Sequence, residues 1–250
     1  MIELKNVNKI FNAGTAQEVH ALKNINLKIG KGEFVVLLGS NGSGKSTLLN
    51  ALAGNTEINS GEIFIEGNKI NDLKDFQRSK WIARIFQNPL QGTAPDLSIL
   101  DNFRLASLRT KKKTFKIGTD NKFKAVVKEK ISLLNLGLEN KTDQKMGSLS
   151  GGQRQALTLI MAVADEAKIL LMDEPAAALV PKTSESLMLN ADKLIKMFHL
   201  TAIFITHHIK DALSYGNRLL QMHEGEIIRD ISLQQKTALS VNEIYNWFDN

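Results

Sequence analysis

Phe34-Val35-Val36-Leu37-Leu38 runs without a break into Gly39-Ser40-Asn41-Gly42-Ser43-Gly44-Lys45-Ser46-Thr47. The first five residues are apolar and partly β-branched, the pattern of a strand covered on both faces of a parallel sheet. The next nine fit G-x-x-x-x-G-K-[ST]. Residues 46–53 then read as a helix, stopped by Gly54 as its C-cap. Strand, glycine-rich loop and helix in this order is the context a phosphate-binding loop needs. Glycines at 39, 42 and 44 let successive N–H groups turn into one cavity, with a helix N-terminus behind it. Lys45 adds a full positive charge for the β- and γ-phosphates, and Ser46 offers a hydroxyl to Mg²⁺. A glycine-rich turn without a ligand is the competing reading; the flanking strand and helix count against it.

Two further stretches carry chemistry. Ile169-Leu170-Leu171-Met172-Asp173-Glu174-Pro175 is an apolar run ending in two carboxylates, which are costly at the end of a buried strand unless they serve something. Side chains alternate along a strand, so Asp173 and Glu174 are expected to point different ways. A solvated strand end is the plainer alternative. Leu149-Ser150-Gly151-Gly152-Gln153 lies between the other two motifs. Ser150 is a good N-cap, and Gly151, Gly152 and Gln153 would open a helix reaching about residue 164. Without bulky side chains, such a helix N-terminus lets a phosphate come close.

With these motifs in this order, the chain resembles the ATPase subunit of an ATP-binding cassette (ABC) transporter, from about residue 2 to a final hairpin. The resemblance implies an α/β fold: a phosphate-loop NTPase core with a mixed sheet and flanking helices, an inserted helical subdomain and an N-terminal antiparallel β portion. ATP would be the substrate and Mg²⁺ the metal. Asp173 would hold Mg²⁺ through its water shell, beside Ser46, and Glu174 would polarise the attacking water. Gln87, in Ile85-Phe86-Gln87-Asn88-Pro89, matches the glutamine that reaches Mg²⁺ or that water. His207, after Thr206, matches the switch histidine at the γ-phosphate, with His208 a bystander. Phe11 matches the aromatic that stacks on adenine. The family's signature element, here Ser150, Gly151, Gly152 and Gln153, faces a nucleotide held by the other subunit's phosphate loop, Gly39 to Thr47. Two ATPs would close a head-to-tail dimer and hydrolysis would reopen it.

One position departs from the family. The stretch after Glu174-Pro175 usually ends in leucine-aspartate, whereas Leu179 is followed here by Val180. Valine cannot accept a hydrogen bond, so slower or less cooperative hydrolysis is expected.

Composition agrees with an ATPase that works beside a membrane rather than in it. The 250 residues are 43% hydrophobic and 23% charged, without cysteine, which excludes disulfides and thiolate metal sites and fits a reducing cytoplasm. No apolar run approaches the roughly 20 residues of a membrane-spanning helix, and Met1-Ile2-Glu3-Leu4-Lys5 lacks the basic start and apolar stretch expected of a secretory signal. The net charge of +6 is partly local, in Arg109-Thr110-Lys111-Lys112-Lys113-Thr114-Phe115-Lys116. A solvated loop explains that run most simply. Anionic headgroups or a partner's acidic loop come next, and nucleic acid last, since no interleaved aromatics offer base stacking.

Along the chain, residues 2–7, 19–29, 63–65 and 201–205 read as further strands, and residues 184–198 as a helix. The expected division is a core of about 1–81 and 165–232, a helical subdomain of about 82–164, and a C-terminal helix of about 233–250. Residues 218–230 read as a hairpin turning at His223-Glu224-Gly225, and Ser240-Val241-Asn242-Glu243 has capping-box spacing.

The resemblance further implies a second ATPase subunit, with a homodimer favoured by one complete motif set. It implies integral membrane permease subunits and a placement on the cytoplasmic, inner face of the cell membrane through them. The stretches 87–96 and 152–159 are similar to bacterial uptake systems with a separate substrate-binding protein, for small organic, amino-acid-like solutes. The alternatives are an exporter or lipoprotein-release ATPase, a subunit that binds ATP without turning it over, and a non-transport ATPase on nucleic acid or ribosomes. The last usually carries a second cassette or a long coiled coil, and neither is present in this sequence.

Overall fold

The computed structural model describes residues 1–88, 90–108, 119–163 and 167–248. The basic run at 109–116, and Pro89 of the Gln87 motif, lie outside them. In chain order the elements are β1 (Ile2–Phe11), β2 (Val19–Ile29), β3 (Phe34–Leu38), α1 (Lys45–Ala53), β4 (Ser60–Ile65), β5 (Asn68–Lys69), α2 (Asp75–Arg78) and β6 (Ile82–Ile85). There follow α3 (Ile99–Ser107), α4 (Asn121–Ser132), α5 (Gly151–Val163), β7 (Ile169–Asp173), α6 (Pro181–Met197) and β8 (Thr201–Thr206). The chain closes with α7 (Ile209–Ser214), β9 (Arg218–His223), β10 (Glu226–Ser232), α8 (Leu233–Ala238) and α9 (Val241–Tyr245). They fall into two compact units, residues 1–78 with 199–250, and residues 79–198.

The first unit contains the expected N-terminal antiparallel sheet, in the order β2-β1-β4-β5. It also holds a mixed arrangement in which β3 pairs in parallel with β8 on one side and β9 on the other, and β10 returns antiparallel to β9. Burial on both faces explains the unbroken apolar run of β3: all five of its residues are buried. Each such side chain contributes about 1.5–3 kcal/mol by leaving water. Gly54 ends α1 in the left-handed conformation, φ 86°, as a C-cap glycine should.

The C-terminal segment is two short helices rather than the single one expected over 233–250. Ser232 and Ser240 each close a capping box, with Gln235 and Glu243. Leu239 and Ser240 are extended, so the second box starts a new helix instead of continuing the first.

The second unit holds α3 to α6 and one strand pair, β6 parallel to β7, in register from Ile82↔Ile169 to Ile85↔Met172. Residues 82–85 form a strand where the spacing suggested helix. Four residues are too few for periodicity to separate the two, and it is the pairing with β7 that decides. The helix α5 is buried from Arg154 to Val163 and forms the middle of this unit. Among the described residues no helix is long and apolar enough to cross a membrane.

Candidate active site

In the first unit the loop Gly39–Gly44 leaves the C-terminal end of β3. Its shape depends on residues far away in sequence. A Cβ on Gly39 would stand 2.3 Å from the Met222 carbonyl oxygen, and one on Gly44 would stand 2.3 Å from that of Ala21. Gly44 is also left-handed, at φ 102°, so only glycine suits it on both counts. The hairpin turn supports the loop from below: the Gly225 N–H donates to the Ser43 carbonyl at 3.0 Å, and the Lys23 N–H donates to the Gly225 carbonyl at 2.8 Å. Lys45 is buried, and its ammonium donates to the carbonyls of Gly39 (2.8 Å) and Ser40 (2.7 Å) and to Ser43 Oγ (3.4 Å). Those donors are held inside the loop on carbonyl and hydroxyl acceptors that a phosphate oxygen can replace. Ser46 and Thr47 begin α1, behind Lys45.

Register brings His207 to the same edge. Leu38 pairs with Thr206 in the parallel β3–β8 ladder, so Gly39 and His207 leave the sheet side by side. Crevices at the carboxyl ends of parallel strands are where α/β folds bind ligands. The His207 ring lies 4.1 Å, centroid to centroid, from that of His208, so the second histidine is in contact with the first. Asp211, one turn on, stands close enough that both rings hold its carboxyl down against the larger, opposing effect of burial, which leaves it above the ordinary value. Phe11 is the last residue of β1, paired with Val19, two residues from the Ala21 that backs Gly44. Its ring is 38% exposed, and Lys9 lies over it at 4.8 Å, so Phe11 is a surface platform rather than a core residue.

In the second unit the β6–β7 register sends Phe86-Gln87 and Asp173-Glu174 off the same edge of the pair. The strand ends at Asp173, so the alternation expected for the two carboxylates does not continue through Glu174. Instead Glu174 is left-handed, at φ 45°, a sparsely populated state for a non-glycine residue that persists only where its surroundings hold it. Arg84 Nη2 lies 3.3 Å from Asp173 Oδ2, both side chains mostly buried, and the guanidinium also stacks on Phe86 at 4.8 Å. Gln87 itself is exposed.

Ser150 is the helix cap that the sequence suggested. Its Oγ accepts from the Gln153 N–H at 3.3 Å, while Gln153 Oε1 accepts from the Ser150 N–H at 3.1 Å. Gly151 and Gly152 then begin α5. A Cβ on Gly152 would lie 2.0 Å from Thr183 Cγ2, so glycine here is set by the approach of α6. Arg154 fixes the turn before the helix by donating to the carbonyls of Met146, Gly147 and Leu149. Val180 sits at the N-cap of α6 with no side-chain hydrogen bond, 68% exposed.

The metal donors expected from the resemblance are the Ser46 hydroxyl, the Gln87 amide oxygen and the Asp173 carboxylate. All are hard oxygens of the kind Mg²⁺ takes, and Asp173 stands where a cationic group, Arg84, already lies against it. Taken one by one, these donors suit the ion chemically.

The ABC transporter family model matches residues 22–177. Over essentially the full length of both chains, this chain is 37% identical to the tyrosine transport ATP-binding protein of Clostridioides difficile, covering 100% of this chain and 99% of that one. It is also 37% identical to the phosphonates import ATP-binding protein PhnC of Lactobacillus delbrueckii subsp. bulgaricus, covering 98% and 95%. Among solved structures it is similar to the dimeric post-hydrolysis state of the ATP-binding cassette MJ0796 bound to ADP and Pi. That match has 33% identity and a TM-score of 0.79, over 93% of this chain and 99% of that one. A glycine loop with its buried lysine, a strand-end carboxylate pair and a serine-capped glycine helix start are thus found in a chain whose whole length aligns with ATP-binding subunits: it belongs to the ABC transporter family, as an ATP-hydrolysing cassette.

Proposed function

We propose that this chain powers the import of a small organic, amino-acid-like solute. Two copies would close around ATP, acting on separate permease subunits at the inner face of the membrane and supplied by a substrate-binding protein. The observation that carries the reading is the end-to-end 37% identity to a tyrosine transport subunit, alongside an equal identity to a phosphonates import subunit. The dimer is supported by the likeness to dimeric cassettes.

In this reading Lys45 and the N–H groups of Gly39 to Thr47 bind the phosphates, and Phe11 carries the adenine. Bound Mg²⁺ would neutralise charge on the β- and γ-phosphates, held by Ser46, Gln87 and, through water, Asp173. Glu174 accepts the proton of the attacking water, and His207 donates to the γ-phosphate. Ser150, Gly151, Gly152 and Gln153 contact the nucleotide of the second copy.

The test is purification of tagged Glu174→Gln protein from detergent-solubilised membranes. A stoichiometric multi-spanning partner is expected, with steady-state hydrolysis lost. Recovery only from the soluble fraction with ribosomes or nucleic acid would refute the transport reading. Hydrolysis at the native rate would refute the role given to Glu174.

A further inference from the structure

Gln155 is a buried polar residue of α5, 1% exposed, one turn past Gly151. Its side-chain nitrogen donates to the Phe86 carbonyl at 2.8 Å and to the Pro175 carbonyl at 3.1 Å. A carboxamide nitrogen has two hydrogens, and each serves one of these acceptors. Both acceptors stand beside residues of the reaction. The Phe86 carbonyl belongs to the peptide that carries the N–H of Gln87. The Pro175 carbonyl lies one residue past Glu174.

We propose that Gln155 is a positioning residue for hydrolysis, tying the backbones of Gln87 and Glu174 to the first turns of the signature helix. Glu174 needs such a tie. Its φ of 45° is a strained value, and the proline after it favours extended backbone at residue 174 rather than this conformation. The Ala177 N–H to the Glu174 carbonyl (3.1 Å) closes a local turn, and Gln155 anchors the middle of that turn to α5. In the same helix turn, Arg154 holds the carbonyls of Met146, Gly147 and Leu149, before Ser150. Two successive side chains thus connect the helix end that meets the second nucleotide with both strand ends that carry the reaction. A displacement of α5 moves Gln87 and Glu174 with it. This inference rests on the roles proposed above for those two residues.

The test uses the full chain with Gln155→Leu, which removes both donors, and Gln155→Glu, which keeps the shape and loses the paired N–H groups. Fluorescent ATP binding, thermal unfolding and the kcat and KM of hydrolysis are measured together. The phosphate loop belongs to the other unit. The expected result is nucleotide affinity and KM within about twofold of native, with kcat lowered on the order of 10–100-fold, the scale of an ångström of misplacement. Native kcat in either folded variant would overturn the proposal. So would a parallel fall in affinity, melting temperature and kcat, which marks a purely structural tie. If the leucine variant does not fold, the glutamate variant decides by the same criteria. If neither folds, the contact serves the fold and the proposal falls. Glu174→Gln assayed alongside separates the two failures: native hydrolysis there refutes the site assignment, whereas its loss with native kcat in Gln155→Leu refutes only the tie.

Discussion

Gly152→Ala measures how closely the signature helix is packed. The added Cβ would lie 2.0 Å from Thr183 Cγ2, with Thr183 Cβ at 3.5 Å and Oγ1 at 3.9 Å. Carbon atoms settle at about 3.5–4.0 Å, so the two helix starts must part by roughly 1.5–2 Å or Thr183 must leave its rotamer. Overpacking of this kind costs about 1–3 kcal/mol. Against it stands the helix preference of alanine over glycine, up to about 1 kcal/mol. The net effect in the native chain is therefore between neutral and about 2 kcal/mol destabilising. The decisive background is Thr183→Ser, which deletes only the offending methyl. There the overpacking vanishes and Gly152→Ala should stabilise, by up to about 1 kcal/mol. Denaturant unfolding of the four proteins closes the cycle, with an expected coupling of about 1–3 kcal/mol. Additivity within about 0.5 kcal/mol would refute the contact as the reason for glycine. In ATPase assays the single variant should lose turnover and Thr183→Ser should restore part of it.

Val180→Asp supplies the missing cap of α6 and should raise stability by about 1 kcal/mol, or about 2–4 °C in melting temperature. It should also speed turnover or sharpen its cooperativity, and an unchanged rate and Hill coefficient would contradict that. Arg84→Gln removes the cation beside Asp173. The Mg²⁺ concentration that half-saturates fluorescent ATP binding should fall, by on the order of 1 kcal/mol or about fivefold; a rise would mean that Arg84 assists the metal. Lys236 is 3% exposed, donates to the carbonyls of Tyr215 and Gly216, and is lowered by burial to about 8. Between that value and the ordinary lysine range, the unfolded chain binds more protons than the folded one. The penalty is therefore complete below pH 8 and is relieved as pH rises. Relative to Lys236→Met, the native chain should gain about 2 kcal/mol of stability from pH 8 to pH 10 by denaturant unfolding. A flat difference would refute it.

What could be read from the sequence was whatever depends on neighbours along the chain. The buried strand of Phe34 to Leu38, the glycine loop, the Ser150 cap, the hairpin at Glu224-Gly225 and the Ser240 capping box each follow from local periodicity, turn chemistry or a fixed spacing. Short or broken elements were harder. The four residues of β6 have no period of their own, and the C-terminal segment splits because one serine caps a second helix. The tertiary structure alone decided everything that depends on residues distant in sequence. Strand register brings His207 beside Gly39 and Gln87 to the edge of Asp173. Ala21, Met222 and Gly225 shape the phosphate loop, and Thr183 fixes the choice of glycine at 152. Gln155 and Arg84 read as ordinary residues of a helical stretch until their partners at 86, 175 and 173 are known. Local sequence sets the conformation a segment prefers, whereas steric exclusion and buried hydrogen bonds depend on which distant segment folds against it.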